Sequence, residues 1–168
     1  NGDRVLNVYK ENSDDPSSLR GNGVYDILCD NNKRVWICSY SGGVSFFDQA
    51  SPLVTQITHQ TNNSNSLVNN DVNNVLEDHR GNIWFATNNG ISCWEKGNNR
   101  WRNYYYNKQE QAQVFLTLCE DNNGRIWAGT YSSGVYIIDG ETGKELAHYS
   151  QKEKGSPLTN DFVFDIFK

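Results

Sequence analysis

The chain contains no methionine, three prolines, three histidines and four cysteines in 168 residues, and these scarcities remove several classes of function. Cys29, Cys38, Cys93 and Cys119 form no CxxC pair, and His59, His79 and His148 stand in unrelated registers, so no metal-ligand spacing is present. The simplest reading of the cysteines is as small buried hydrophobes; Cys29 and Cys119 fall just before recurring aspartates on one strand type. Formal charge is −5, with acids and bases interspersed and no basic run. That argues against nucleic acid or direct contact with an anionic membrane, both of which need a positive footprint. No apolar stretch approaches transmembrane length, and no signal-peptide pattern is present. No cofactor motif and no catalytic constellation stands out.

What the chain has in quantity is aromatic and amide side chains. Five Trp, nine Tyr and seven Phe accompany an excess of asparagine and serine. This composition suits a strand-rich protein with many polar turns, and equally a surface that stacks on and hydrogen-bonds to sugars.

The order of the residues is more telling. Glu-Asp-x-x-Gly-x-Ile-Trp occurs at Glu77–Trp84 and Glu120–Trp127, and a worn copy runs from Cys29 to Trp36. The tryptophans are 48 and 43 residues apart, so one unit is repeated. The second unit reads as four short strands: Val72–Asp78, Ile83–Thr87, Ile91–Trp94 and Arg100–Tyr106, separated by turn residues. The third reads as Phe115–Asp121, Arg125–Thr130, Val135–Asp139 and Glu145–Tyr149, and the first as Val24–Asp30, Arg34–Ser39, Val44–Asp48 and Val54–His59. Four antiparallel strands per 40-odd residues make a β-propeller blade. The expected fold is therefore all-β. Blades span residues 19–59, 67–106 and 112–150, with 1–10 as the outer strand of a preceding blade and 158–168 as the first strand of a following one. Three blades do not close a ring, so the chain reads as a fragment of a larger propeller, with neighbouring blades of the same parent and self-association as its expected partners.

Columns of the repeat suggest roles. Trp36, Trp84 and Trp127 follow a β-branched residue on the second strand and are expected to fill the gaps between blades. Asp30, Asp78 and Asp121 open the first turn, where a carboxylate can accept backbone N–H groups. Gly81 and Gly124 supply the positive φ of that turn, and Lys33 stands in the same place in the first unit, weakening it. Residues recurring in every blade read as architectural.

These residues resemble the two-component regulator propeller repeat. The matching text includes Ser66-Leu67, Val72-x-x-Val75, Glu77-Asp78, Gly81-x-Ile83-Trp84 and Thr87, then Glu120-Asp121, Gly124-x-Ile126-Trp127-Ala-Gly129-Thr130 and Gly134-Val135. The first unit matches at Ser18-Leu19, Asp30, Val35-Trp36 and Gly42-Gly43-Val44-x-x-Phe47-Asp48. Ser39 replaces the threonine, and Glu110 stands where the third leucine belongs. The resemblance implies the periplasmic sensor region of a hybrid two-component histidine kinase, with a polysaccharide fragment as the usual stimulus and the kinase outside this sequence.

Loop geometry gives candidate ligand residues independently. In a four-stranded meander, the loop leading into the first strand and the loop between strands two and three share one end. Near the axis at that end we expect Arg20, Asn22, Tyr40, Asn70, Asn88, Tyr131 and Asn160. Tyrosines and amides there suit a carbohydrate ligand. Trp101 and Tyr104–Tyr106 are expected to contact a neighbouring blade or a second copy instead. Two rival classes remain: a scaffold that dimerises and transmits signal without a ligand, and a propeller enzyme such as a lyase or glycosidase. Hydrolysis needs two acids on the pocket face, whereas the recurring aspartates belong to the opposite end.

Overall fold

The structure, a computed structural model, describes residues 7–48, 54–106 and 113–168. Its strands form three antiparallel four-stranded sheets, each a propeller blade. Blade 1 comprises β1 (Val24–Cys29), β2 (Arg34–Ser39), β3 (Gly43–Asp48) and β4 (Thr55–Ile57). Blade 2 comprises β5 (Val72–Glu77), β6 (Ile83–Thr87), β7 (Gly90–Glu95) and β8 (Arg100–Tyr104). Blade 3 comprises β9 (Phe115–Glu120), β10 (Arg125–Thr130), β11 (Val135–Asp139) and β12 (Glu145–Tyr149). Within each blade the strands pair in sequence order, as successive hairpins require.

Stability comes from between the blades. In a strand, successive side chains point to opposite faces. On β6, Ile83 and Phe85 therefore join a buried layer with Trp36, Cys38 and Val44 of blade 1. Trp84 and Ala86, one step out of phase, join Phe115, Leu118, Ile126 and Ala128 of blade 3. All five residues of β6 are buried because a blade flanks each side. The outer-strand aromatics complete these layers: Trp101 stacks on Phe85 at 5.8 Å, Tyr104 on Trp84 at 5.7 Å, and Tyr105 packs against Phe115 and Tyr136. Trp127 is only half-buried, since its face of β10 points away from blade 2. Cys38 and Cys93 are buried, as expected, but Cys29 is exposed and Cys119 intermediate. The expectation of buried cysteines is corrected for Cys29, whose place on β1 is the glutamate column of the other blades, a turn-facing and polar position.

Each recurring aspartate clasps its own turn. Asp78 Oδ1 accepts the N–H groups of Arg80 and Asn82 at 2.9 Å, while Oδ2 accepts the Asn82 amide at 2.9 Å and the Trp84 indole N–H at 3.0 Å. Asp30 and Asp121 repeat the pattern, with an arginine (Arg34, Arg125) in place of Asn82 and the indoles of Trp36 and Trp127 at 3.0 Å. The indole bond was not foreseen from the sequence. It orients the ring that fills the next interface, so turn and interface are set by one carboxylate. Gly81 and Gly124 adopt φ of +81° and +73° in these turns, and Lys33 is held at +62°, a region costing a side-chain-bearing residue about 1 kcal/mol.

The glutamate beside the aspartate works between blades. Glu77 accepts the N–H of Asn31 at 2.8 Å, and Glu120 accepts the N–H of His79 at 2.8 Å while its other oxygen meets the His79 ring. Thus the aspartate ties a turn to its own strand, and the glutamate ties the previous blade's turn to the present one.

Outside the sheets, residues 7–10 and 158–168 carry no strand. Residues 1–6 of the expected leading strand, and Glu110, lie outside the described residues. Tyr9 stacks on Phe47 at 5.6 Å. The last segment nevertheless runs along blade 3: Gly134 N–H donates to the Asp161 carbonyl at 2.8 Å and Val163 N–H to the Thr130 carbonyl at 2.9 Å.

Burial pushes the Asp30, Asp78 and Asp121 carboxyls up, but the indole, backbone and side-chain bonds outweigh it and hold all three below 3.8. A carboxyl depressed in the folded state contributes stability that is complete above its unfolded pKa of about 3.9 and disappears as pH falls through the folded value. The melting temperature is therefore expected to be level down to about pH 5 and to fall steeply below about pH 4, with a shallower fall in Asp78→Asn. Thermal melts of both proteins across pH 2–7 check this. For the glutamate, Glu120→Ala is expected to cost about 1 kcal/mol. Amide exchange at His79 should speed up while the interior of β6 stays protected, which hydrogen-exchange measurements read directly.

Candidate functional site: a groove along the innermost strands

The innermost strands β1, β5 and β9 share an irregularity. Val24 and Val72 pair normally with β2 and β6, but the register jumps before Asp26 and Asn74, and β9 jumps likewise between Phe115 and Thr117. Each strand carries one extra residue: Tyr25, Asn73 or Leu116. A bulge of this kind re-aims side chains, and here it allows apolar residues three apart, such as Val72 and Val75, to enter the same buried layer.

The bulges line an elongated groove of about 740 Å³. Its walls come from the extra residues Tyr25, Asn73 and Leu116, the next column Asp26, Asn74 and Thr117, and Phe164 and Asp165 of the last segment, which continue both columns. Val114, Asn88 and Tyr131 close its upper side. Polar residues of the second column link one blade to the next. Asp26 Oδ2 accepts the Asn74 amide at 2.7 Å and the Val75 N–H at 2.9 Å; Asn74 Oδ1 accepts the Leu118 N–H at 2.9 Å; Thr117 donates to Asp165 at 3.2 Å.

The floor of the groove is an oriented amide chain. Asn73 Nδ2 donates to the Phe115 carbonyl at 2.7 Å and to Asn88 Oδ1 at 2.9 Å. A carbonyl can only accept, so this bond fixes which way Asn73 faces, and Asn73 in turn fixes Asn88. The Asn73 carbonyl oxygen and the Asn88 amide nitrogen have no hydrogen-bond partner among the described residues. Aromatic pairs sit at either side: Tyr25 meets Tyr40 edge-on at 5.9 Å, and Tyr131 meets Phe162 edge-on at 5.5 Å, with Phe162 stacked on Phe164. Tyr40 and Tyr131 are more than half exposed, which leaves much of each side chain accessible to a ligand.

Of the seven residues expected at a ligand site, the structure brings Asn88 and Tyr131 into the groove wall and Tyr40 to its edge through Tyr25. Asn22, Asn70 and Asn160 hold loops: their side-chain oxygens accept the N–H groups of Glu11, His59 and Phe162 at 2.9, 2.7 and 2.9 Å. Arg20 is exposed and does not line the groove. Sequence reasoning missed Tyr25, Asp26, Asn73, Asn74, Thr117 and Asp165, which were read as ordinary strand residues. The available signal was the spacing of three between apolar columns, which a regular strand would place on opposite faces. A second groove of about 620 Å³ lies on the lead-in loop of blade 2, lined by His59–Ser64, Asn89, Asn103 and Tyr106.

The two-component regulator propeller family matches at residues 18–41, 66–89 and 109–132, each time from the lead-in loop through the second strand. The extracellular domain assigned to hybrid two-component system BT4673 of B. thetaiotaomicron superposes with a TM-score of 0.72 at 22% identity, covering 90% of this chain and 20% of that one. The corresponding domain of BT3049 gives 0.64 at 17%, covering 96% and 26%. Virginiamycin B lyase of Staphylococcus aureus gives 0.59 at 22%, covering 79% and 43%. The chain thus spans about a fifth to a quarter of the two sensor domains, and at these identities the likeness concerns the fold. Among curated proteins none matches. With the same segment of each blade matched three times in register, the chain carries three two-component regulator propeller repeats.

Proposed function

We propose that these blades belong to the extracytoplasmic, periplasmic sensing propeller of a hybrid two-component histidine kinase, and that the groove along the innermost strands receives an oligosaccharide. The observation that carries this reading is the groove itself. It combines exposed tyrosines, suited to stacking on sugar rings, with an amide chain whose donor and acceptor ends match paired hydroxyls. Four successive inner segments contribute to its wall, so a ligand lying along it would touch every blade and bias their packing. Membership of the repeat family supplies the signalling context, and the kinase lies outside these residues.

A binding role suits the groove carboxylates better than an enzymatic one. Asp26 has both oxygens engaged, with Ile27 N–H on one and Asn74 and Val75 on the other, and Asp165 accepts from Ile166 and Thr117. Acids held in this way serve as fixed acceptors rather than proton shuttles.

Glycan-array and calorimetric binding by the complete protein that carries these blades tests the reading. Tyr131→Ala and Asn73→Ala are each expected to weaken binding about tenfold or more, from a lost stacking face or hydrogen-bond pair worth roughly 1–2 kcal/mol. Arg20→Ala should bind as the parent does. Loss of binding in Arg20→Ala alone would move the site to the lead-in loops.

A further inference from the structure

We infer that the groove selects uncharged saccharides and rejects uronic-acid and sulfated ones. This rests on the sensing role proposed above and adds the chemical class of the ligand.

The charge of the wall is the first ground. Among the described residues, the groove wall includes two carboxylates, Asp26 and Asp165, and no lysine, arginine or histidine. The one base among the residues expected from sequence at this end, Arg20, is outside the wall. Carboxylate and sulfate groups are recognised by forked guanidinium or ammonium donors, and none is offered here.

Hydrogen-bonding direction is the second. Asp165 Oδ1 accepts from Thr117 and Ile166, and Oδ2 has no partner among the described residues. The Asn73 carbonyl oxygen is likewise left as an acceptor, because its amide nitrogen is committed to Phe115 and Asn88. Both acceptors are matched by a ligand that donates. A sugar hydroxyl donates and accepts, so it satisfies them and can also take the Asn88 N–H. An anionic oxygen only accepts, and beside the exposed Asp165 it would meet a like charge. Asp26 is held by the N–H groups of Ile27 and Val75 and the Asn74 amide, and Asp165 by Ile166 N–H and the Thr117 hydroxyl, so both carboxylates stay at the wall.

The test measures binding of the complete protein to neutral probes (cellohexaose, maltohexaose, and mannan and xylan oligosaccharides) and anionic probes of similar length (an oligogalacturonide and a sulfated dextran oligomer). Binding is measured at low and high salt. The expected result is that a neutral probe binds, and that anionic probes bind at least about tenfold more weakly at low salt. That gap should narrow at high salt. Asp165→Asn, which keeps the shape and removes the charge, should narrow it too. An anionic probe that binds best, or a gap that neither salt nor Asp165→Asn changes, would overturn the inference while leaving a sugar sensor in place. Binding by no probe would overturn the sensing role and the inference together.

Discussion

Everything in this chain depends on a carboxylate that faces two ways. Asp78 closes the turn after the innermost strand by accepting two backbone N–H groups, and with its other oxygen it holds the indole N–H of Trp84. The ring it orients is completely buried between blades 2 and 3. A local turn is thereby coupled to a long-range interface. Asp30 does the same with the buried Trp36 at the interface of blades 1 and 2, and Asp121 makes the same bond to the half-buried Trp127. The neighbouring glutamate extends this coupling backwards by capping the preceding blade's turn. A propeller built this way has no independent blades: each owes part of its turn geometry to the next, as repeat architectures generally require.

The bulged inner strands follow from the same demand for inter-blade packing. To place Val72 and Val75, or Phe115 and Leu118, in one layer, the strand must accommodate an extra residue. That residue turns out of the packed layer and lines the groove. The groove is thus a by-product of how the interfaces close, and its chemistry is free to vary because the layers behind it do not depend on it. Tyr25, Asn73, Leu116 and Phe164 occupy one structural column with four different side chains, whereas the tryptophan and aspartate columns are uniform. Uniform columns hold the fold, and the variable column is where recognition can be written.

The fold was legible in the sequence because it is stated three times. Turn residues, β-branched runs and the spacing of Trp36, Trp84 and Trp127 agree on four strands per blade, and the strands lie where those signals put them. The turn aspartates were legible as acceptors, but their bond to the indole was not, since nothing in a one-dimensional pattern shows that residues six apart across a hairpin meet. The candidate site was only partly legible. Loop logic found Asn88, Tyr131 and Tyr40, whose places depend on connectivity alone. It also collected Asn22 and Asn70, which share those loops but hold backbone amides. The bulge residues escaped because an apolar spacing of three, which a regular strand places on opposite faces, shows that a strand is irregular but not which residue it turns outward.

The central claim, that the groove of the bulged inner strands is where a saccharide binds, is tested most directly by a crystal structure of the complete protein with a bound neutral oligosaccharide. The account predicts sugar rings over Tyr131 and a hydroxyl pair seated on the Asn73 carbonyl and Asn88 amide. Sugar resting instead on the lead-in loop groove around Asn62 and Tyr106, with the axial groove empty, would contradict it.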